Sequence, residues 1–305
     1  MGVTDHSHRS PDEDDVRLSE WLRPLDPQAL PSDLARATVL LSYPDDRGVR
    51  LNGGRPGANL GPGAFLEVLG RMTPPYTVTG PGHFYNAGDG TVPLELLAAH
   101  EEARRLVGRI RDVAGARLLT FGGGHDWGYP DFIDWNGPLL HFDAHLDTRP
   151  NPAGAFAGHS GTPFRRVVEG RKGSSNIHVF GLQKHCNAKV HVEWARNAGM
   201  QLHFLEDAPL GIDAQWSEFE KTLAKLKGQS VAVSLDLDVF AQSDAPGVSA
   251  PQPFGLAPEL VLQCLRALGR DAHHLGIYEL NPRFDVDRQT ARLAARLAHE
   301  FLFPG

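Results

Sequence analysis

PLLHFDAHLDTRP, residues 138–150, holds both the strand and the chemistry on which the fold reading turns. Pro138-Leu139-Leu140, ended by His141 and Phe142, reads as a buried strand. Asp143, His145 and Asp147 follow at every second position. In extended chain, alternate side chains share a face, so two carboxylates and an imidazole are expected to leave the strand tip on one side. That much polarity in one place calls for a cation among the three groups.

Outward from this stretch the pattern recurs. Arg117–Phe121 (RLLTF) reads as a strand and runs into GGGHD at 122–126. Ser230–Leu237 (SVAVSLDL) is a β-rich run that ends in acidic residues, and His274–Leu280 (HLGIYEL) leads into ELNP at 279–282. Thr38–Ser42, Ile177–Gly181 and Gln201–Leu205 are further strand candidates. Helices are expected over Pro62–Arg71, Pro93–Val113, 186–198, Gln215–Lys227, Pro258–Gly269 and 288–302. In the second of these, Leu94, Leu97, Ala98, Leu106 and Ile110 form the expected apolar face. Residues 43–65, dense in Gly, Pro, Asn and Arg, read as a long loop suited to anion contact.

Strands alternate with helices and no linker interrupts them. This predicts an α/β fold, one open and mainly parallel sheet with helices on both faces. The functional site then belongs at the carboxyl ends of the strands, where every chemically loaded segment falls. Residues 1–20 read as a polar, flexible tail whose His6 and His8 are solvated, and 21–305 as a single domain.

The net charge of -7 argues against nucleic acid as a partner. The longest apolar runs fall short of the roughly 20 residues of a membrane span, and no apolar leader is read at the N-terminus. Two cysteines, Cys186 and Cys264, make no disulfide framework and look like reduced thiols of a cytoplasmic protein.

Three strand ends together supply His125, Asp143, His145, Asp147, Asp236 and Asp238. Asp236 and Asp238 are again alternate residues, and like charges that close raise at least one pKa unless a cation intervenes. Oxygen-rich ligation with some imidazole and no thiolate suits Mn(II) better than structural zinc. Six ligands exceed what one ion with an open position needs, and suit two ions about 3.5–4 Å apart that lower the pKa of water between them.

With these residues in hand, the chain from about residue 38 onward resembles the ureohydrolase family of arginases, agmatinases and formimidoylglutamases. The resemblance rests on GGGHD at 122–126, DAHLD at 143–147, SLDLDVF at 234–240 and ELNP at 279–282. It implies a three-layer α/β/α fold and two Mn2+ per subunit. One ion would take His125, Asp143, Asp147 and Asp236; the other would take Asp143, His145, Asp236 and Asp238. Asp143 and Asp236 would bridge. A homo-oligomer, trimer or hexamer, is the implied assembly.

GVRLNGGRPGANLGP at 48–62, DVFAQSDAPGVSAPQPFGL at 238–256 and YELNPRFDVDRQTARLAA at 278–295 look most like the formimidoylglutamase branch. That branch implies a hydrolase cleaving the C–N bond of N-formimidoyl-L-glutamate to L-glutamate and formamide, a step of histidine degradation. Arg149 stands where arginases carry a substrate-contacting asparagine, and suits a substrate with two carboxylates. Glu279 would pair with the cationic formimino group. Asn52, Arg55 and Ser160 are further candidates for substrate contact. Agmatinase-like sequences read HGTPF, whereas this chain has His159-Ser160-Gly161-Thr162-Pro163-Phe164. The shift leaves His159 or Asp147 as the proton carrier. A guanidine hydrolase that releases urea, a catalytically silent binding module and a single-zinc deacetylase stay open at this point.

Overall fold

The computed structural model describes residues 15–27, 29–78, 80–89, 95–171, 176–207 and 212–305. Nine strands form one sheet: β1 Leu22–Pro24, β2 Thr38–Tyr43, β3 Phe84–Asp89, β4 Arg117–Gly122, β5 Leu139–Phe142, β6 Ile177–Leu182, β7 Gln201–Phe204, β8 Val231–Asp236 and β9 Ala272–Tyr278. Their order across the sheet is β1-β3-β2-β4-β9-β8-β5-β6-β7, and every pairing is parallel. The helices are α1 Leu18–Trp21, α2 Arg47–Leu51, α3 Gly61–Gly70, α4 Leu96–Arg111, α5 Gly128–Phe132, α6 Pro163–Gly170, α7 Lys189–Asn197, α8 Ile212–Leu226, α9 Pro258–Leu268 and α10 Gln289–Leu302.

Strands β2, β4, β5, β6, β8 and β9 are buried on both faces almost throughout, as parallel strands covered by crossover helices must be, while β1, β3 and β7 are partly exposed. In β8, Val231, Val233 and Leu235 pack into one core with α3, α8, α9 and α10, while Ala232 faces the other. In β2, Leu40 joins the first core, and Val39 and Leu41 join the second with α4, α5, α6 and α7. Each fully buried Leu, Ile, Val or Phe contributes roughly 1.5–3 kcal/mol. The result is the three-layer α/β/α arrangement, and among the described residues no helix is long and apolar enough to cross a membrane.

Three local readings need correction. The chain is already packed within the expected tail: Leu18 is 2% exposed and its N–H donates to Met72 O, so the polar tail stops before α1. Residues 1–14 of that tail, with His6 and His8, lie outside the described residues, as do Pro93 and Leu94 at the start of the expected helix. Second, α4 buries Leu96, Ala99, His100, Ala103, Val107 and Ile110, while Leu97 and Ala98 are exposed. The sequence carries two competing apolar stripes there, and the sheet selects the one that includes the small Ala99 and Ala103. Third, the 43–65 segment is not one long loop, because α2 and the start of α3 break it up. Its arginines are not free for anions either: Arg47 pairs with Asp45 and Arg50 with Asp46, carboxylates of the same segment. The edge strand β1 and the inner strand β3 escape a pattern reading, since FYNAGD lacks the β-branched run that marks a strand.

Candidate metal centre

Strands β4, β9, β8 and β5 are neighbours at the middle of the sheet, although β5 directly follows β4 in the chain. That order places GGGHD, ELNP, SLDLD and DAHLD side by side at one end. The ladder between β5 and β6 continues one step, with Asp143 N–H donating to Phe180 O at 3.0 Å. Beyond it the DAHLD segment is irregular. Asp147 takes φ +50°, so the three polar residues converge through a loop and not through strand alternation. Asp236 is the last residue of β8, and Asp238 lies in the helical turn Leu237–Val239, where its N–H donates to Asp236 Oδ1 at 2.9 Å.

His125 Nδ1 lies 3.1 Å from Asp143 Oδ2, from Asp147 Oδ2 and from Asp236 Oδ2. The other ring nitrogen, Nε2, is 2.9 Å from Ser234 Oγ; with Nε2–H donating there, the Nδ1 lone pair faces three carboxylates. His145 Nδ1 lies 3.2 Å from Asp238 Oδ2 and 3.4 Å from Asp143 Oδ1. Among the described residues three groupings of donor atoms result, His125–Asp143–Asp147–Asp236, Asp143–His145–Asp238 and His125–His141–Asp143, all sharing Asp143. Asp236 falls in the first only. All six expected residues are brought together, and His141 joins them, its Nε2–H donating to Asp143 Oδ2 at 2.9 Å.

The charges of these groups act on one another. Burial opposes ionisation of Asp143, yet contacts with His125, His141 and His145 outweigh it and hold its carboxyl well below the usual range. Burial, then Asp238 and Asp143, push Asp236 well above that range. Burial and the Asp143 charge raise Asp147 to about 6. His125 is raised well above an ordinary imidazole, its burial overcome by three carboxylates. His125 Nδ1 and Asp238 Oδ1 are buried with no hydrogen-bond partner among the described residues. Four carboxylates and two imidazoles converging with orphaned donor atoms fit divalent cations of the oxygen- and nitrogen-binding type.

The surroundings fix the cluster. The first carbonyl of the Gly-rich turn that matters is Gly123 O, which accepts Glu279 N–H at 2.8 Å. A Cβ at Gly123 would sit 2.1 Å from Asp45 O, so only glycine permits this approach. Tyr278 stacks on the His125 ring at 4.7 Å, and its hydroxyl donates to Asp131, which also accepts from Tyr43 and Thr120. The neighbouring Asp126 is held by His100 Nε2–H at 2.9 Å, and His100 Nδ1 accepts from Arg166 at 3.1 Å. Asp147 and Glu279 both adopt positive φ, a strain on the order of 1–3 kcal/mol each for a non-glycine residue. Asp147 O caps the amides of Phe164 and Arg165 at the start of α6, and Glu279 Oε1 accepts His125 N–H at 2.9 Å. Glu279 Oε2 is buried with no hydrogen-bond partner among the described residues, and burial pushes this carboxyl up to about 8 against the pull of the His125 N–H.

A cavity of about 640 Å³ opens from the cluster. Asn52, Arg55, Arg149, Ser160 and Glu279, the residues named as candidates for substrate contact, are among those that line it. Their local roles differ. Arg149 donates to Asn52 Oδ1 at 2.8 Å, and Asn52 Nδ2 donates to Ser160 Oγ at 3.1 Å, so Asn52 acts as a holder of the other two. Arg55 is spent elsewhere: its guanidinium donates to the carbonyls of Val248 and Ser249 and stacks on Phe284 at 3.8 Å. His159 does not line the cavity. Its Nδ1 accepts Gly161 N–H at 3.2 Å within a turn that sends Ser160 inward and the imidazole aside. Of the two residues expected to carry the proton, Asp147 borders the cavity and His159 does not.

Cys186, Asn187, His191 and Ser249 also line the cavity and were not anticipated. Position was the available signal for Cys186 and Asn187. The segment after β6 must open at the same end as every other parallel strand of the sheet, so GLQKHCN at 181–187 belonged among the candidate loops.

The family model described as the arginase family matches residues 36–303. A formimidoylglutamase from Nocardia farcinica is 32% identical over 94% of this chain and 91% of its own length. One from Hahella chejuensis is 32% identical over 87% of this chain and 85% of its own. A crystal structure of Trypanosoma cruzi formiminoglutamase with Mn2+2 superposes with a TM-score of 0.81 at 27% identity, covering 95% of this chain and 98% of that one.

Proposed function

The chain belongs to the arginase family, and from that premise we propose that it hydrolyses N-formimidoyl-L-glutamate to L-glutamate and formamide with two Mn2+ ions. His125, Asp143, Asp147 and Asp236 would hold one ion, and Asp143, His145 and Asp238 the other, with Asp236 a candidate to share. The ions supply Lewis acidity and lower the pKa of a water at the cluster.

One observation carries the choice of substrate. The only carboxylates among the described residues lining the cavity are Asp147, Asp236, Asp238 and Glu279, all at its metal end. The outer wall presents Arg149 and His191, with Asn52, Ser160 and Asn187, and offers no acid to a substrate ammonium. An amidine that carries two carboxylates and no free amine matches this polarity. A cationic amine such as agmatine, or an α-amino acid with a free ammonium, does not.

The protein's own groups then divide the work. Glu279 Oε2 faces the planar amidinium and holds its carbon over the cluster. Arg149, pinned by Asn52, takes a carboxylate of the glutamate moiety. Water adds to the amidine carbon, the bond from that carbon to the glutamate nitrogen breaks, and Asp147 passes the adding water's proton to the departing nitrogen.

The test is purified protein with Mn2+ and separate incubations with N-formimidoyl-L-glutamate, agmatine, L-arginine and 4-guanidinobutyrate, scored for formamide and urea. Formamide and glutamate in equal amounts are expected from the first, and no urea from the others. Urea released from a guanidine faster than formamide from formimidoylglutamate would overturn the substrate assignment.

Arg149→Ala should raise KM for formimidoylglutamate by about 10–100-fold, the worth of a charge-assisted hydrogen bond to a carboxylate, with a smaller effect on kcat. Steady-state kinetics read this directly. An unchanged KM would remove Arg149 from the carboxylate site.

A further inference from the structure

We infer that Asn187 is a positioning residue for His145, holding the peptide groups on both sides of that imidazole and so setting the Asp143–His145–Asp238 end of the metal centre. The inference rests on the binuclear reading above.

Three hydrogen bonds of one amide carry it. Asn187 Oδ1 accepts Leu146 N–H at 2.9 Å, and Nδ2 donates to Ala144 O at 2.9 Å and to Gln183 O at 2.8 Å. Ala144 and Leu146 flank His145 directly. Both donors of the amide are used, and a flipped amide would set Nδ2–H against Leu146 N–H, so its orientation is determined. The side chain stands between the helical turn Lys184–Cys186 and α7, and thus bolts the loop after β6 to the loop after β5.

His145 needs such a holder more than His125 does. The His125 ring is 1% exposed and is fixed by Ser234, Tyr278 and Phe164. The His145 side chain is 26% exposed, and its Nδ1 meets Asp143 and Asp238. Residues 144–149 lie outside regular structure; around His145 the backbone is otherwise held by Gln183 N–H to Ala144 O at 3.1 Å and by His145 N–H to Asp143 Oδ1 at 2.6 Å, and Asn187 adds the bond on the Leu146 side. Where the ring itself is loosely packed, the aim of Nδ1 depends on the backbone that carries it. Asn187 is the side chain that binds that backbone on each side. Groups that orient a metal ligand in this way typically change metal affinity by about 10–100-fold when removed.

The test is a Mn2+ titration of wild type, Asn187→Ala and Asn187→Asp, with free Mn2+ followed by electron paramagnetic resonance and bound metal by elemental analysis. Circular dichroism checks the fold. Wild type should take two ions per chain. Asn187→Ala should keep one site near wild-type affinity and weaken the other by about 10–100-fold. Asn187→Asp keeps the acceptor for Leu146 N–H but sets an oxygen against two carbonyls, so it should weaken the same site; it carries the test alone if the alanine variant fails to fold. Two sites of wild-type affinity in the folded variants, or equal weakening of both sites, would overturn the inference while leaving the binuclear reading intact. Fewer than two ions on wild type would sink that reading and this inference with it.

Discussion

Asp236→Ala is expected to lower kcat/KM by at least about 10³-fold, roughly 4 kcal/mol of transition-state stabilisation, and to lose bound Mn2+ with the fold retained. Asp236 is 3% exposed at the end of β8, and its Oδ2 lies 3.1 Å from His125 Nδ1. Truncation empties one corner of the His125–Asp143–Asp147–Asp236 grouping. The consequences for the fold oppose each other. Asp238 N–H loses its acceptor, a loss of about 1 kcal/mol, while Asp238 and Asp143 are relieved of a like charge. A net change of about 1 kcal/mol moves the metal-free Tm by only about 2–4 °C in a chain of this size class. Wild type should melt later as Mn2+ is added, because the ion binds the folded state alone, and Asp236→Ala should lose most of that shift. Elemental analysis and thermal melts with and without Mn2+ check both halves. A variant that is fully active with two ions bound would end the assignment of Asp236 as a ligand.

Glu279→Gln should cost about 10²–10³-fold in kcat/KM, or roughly 2.7–4 kcal/mol, with Mn2+ content unchanged. The glutamine keeps an oxygen for the His125 N–H, so the Gly-rich turn stays in place. What disappears is the carboxylate that Glu279 can become beside an amidinium, at an Oε2 that is buried with no hydrogen-bond partner among the described residues. A planar amidinium gains most from a carboxylate where water is excluded. The pairing of full metal content with a lost rate separates Glu279 from the ligands, whose replacement removes both. Wild-type kcat/KM in the glutamine variant would mean that the amidinium is held elsewhere.

The alternation of apolar strands and amphipathic helices was legible because it follows from local chemistry. A strand buried on both faces must be apolar throughout, as Val231 to Leu235 are apart from Ser234. The six clustered residues were legible for a related reason: acids and imidazoles placed directly after such runs have no structural use for their charge. Other details were decided by competition between similar options. In α4 the Leu97 and Ala98 stripe and the Leu96 and Ala99 stripe differ little in hydrophobicity, and the sheet's surface chose between them. His159 and Ser160 are adjacent, and only the turn before α6 determines which of them enters the cavity.

What the linear chain determined by itself is the inventory: parallel strands with loaded carboxyl ends, four carboxylates and two imidazoles of metal-binding type, and a family resemblance extending along most of its length. What only the tertiary structure decided is adjacency. The order β4-β9-β8-β5 joins ends that lie as much as 154 positions apart, between His125 and Glu279. It also turns Arg55 to backbone carbonyls and brings Asn187 to the peptides around His145. The physical reason is range: hydrophobic periodicity acts over a few residues and is written in them, whereas strand order and hydrogen-bond partners depend on how distant surfaces pack, which no short window contains.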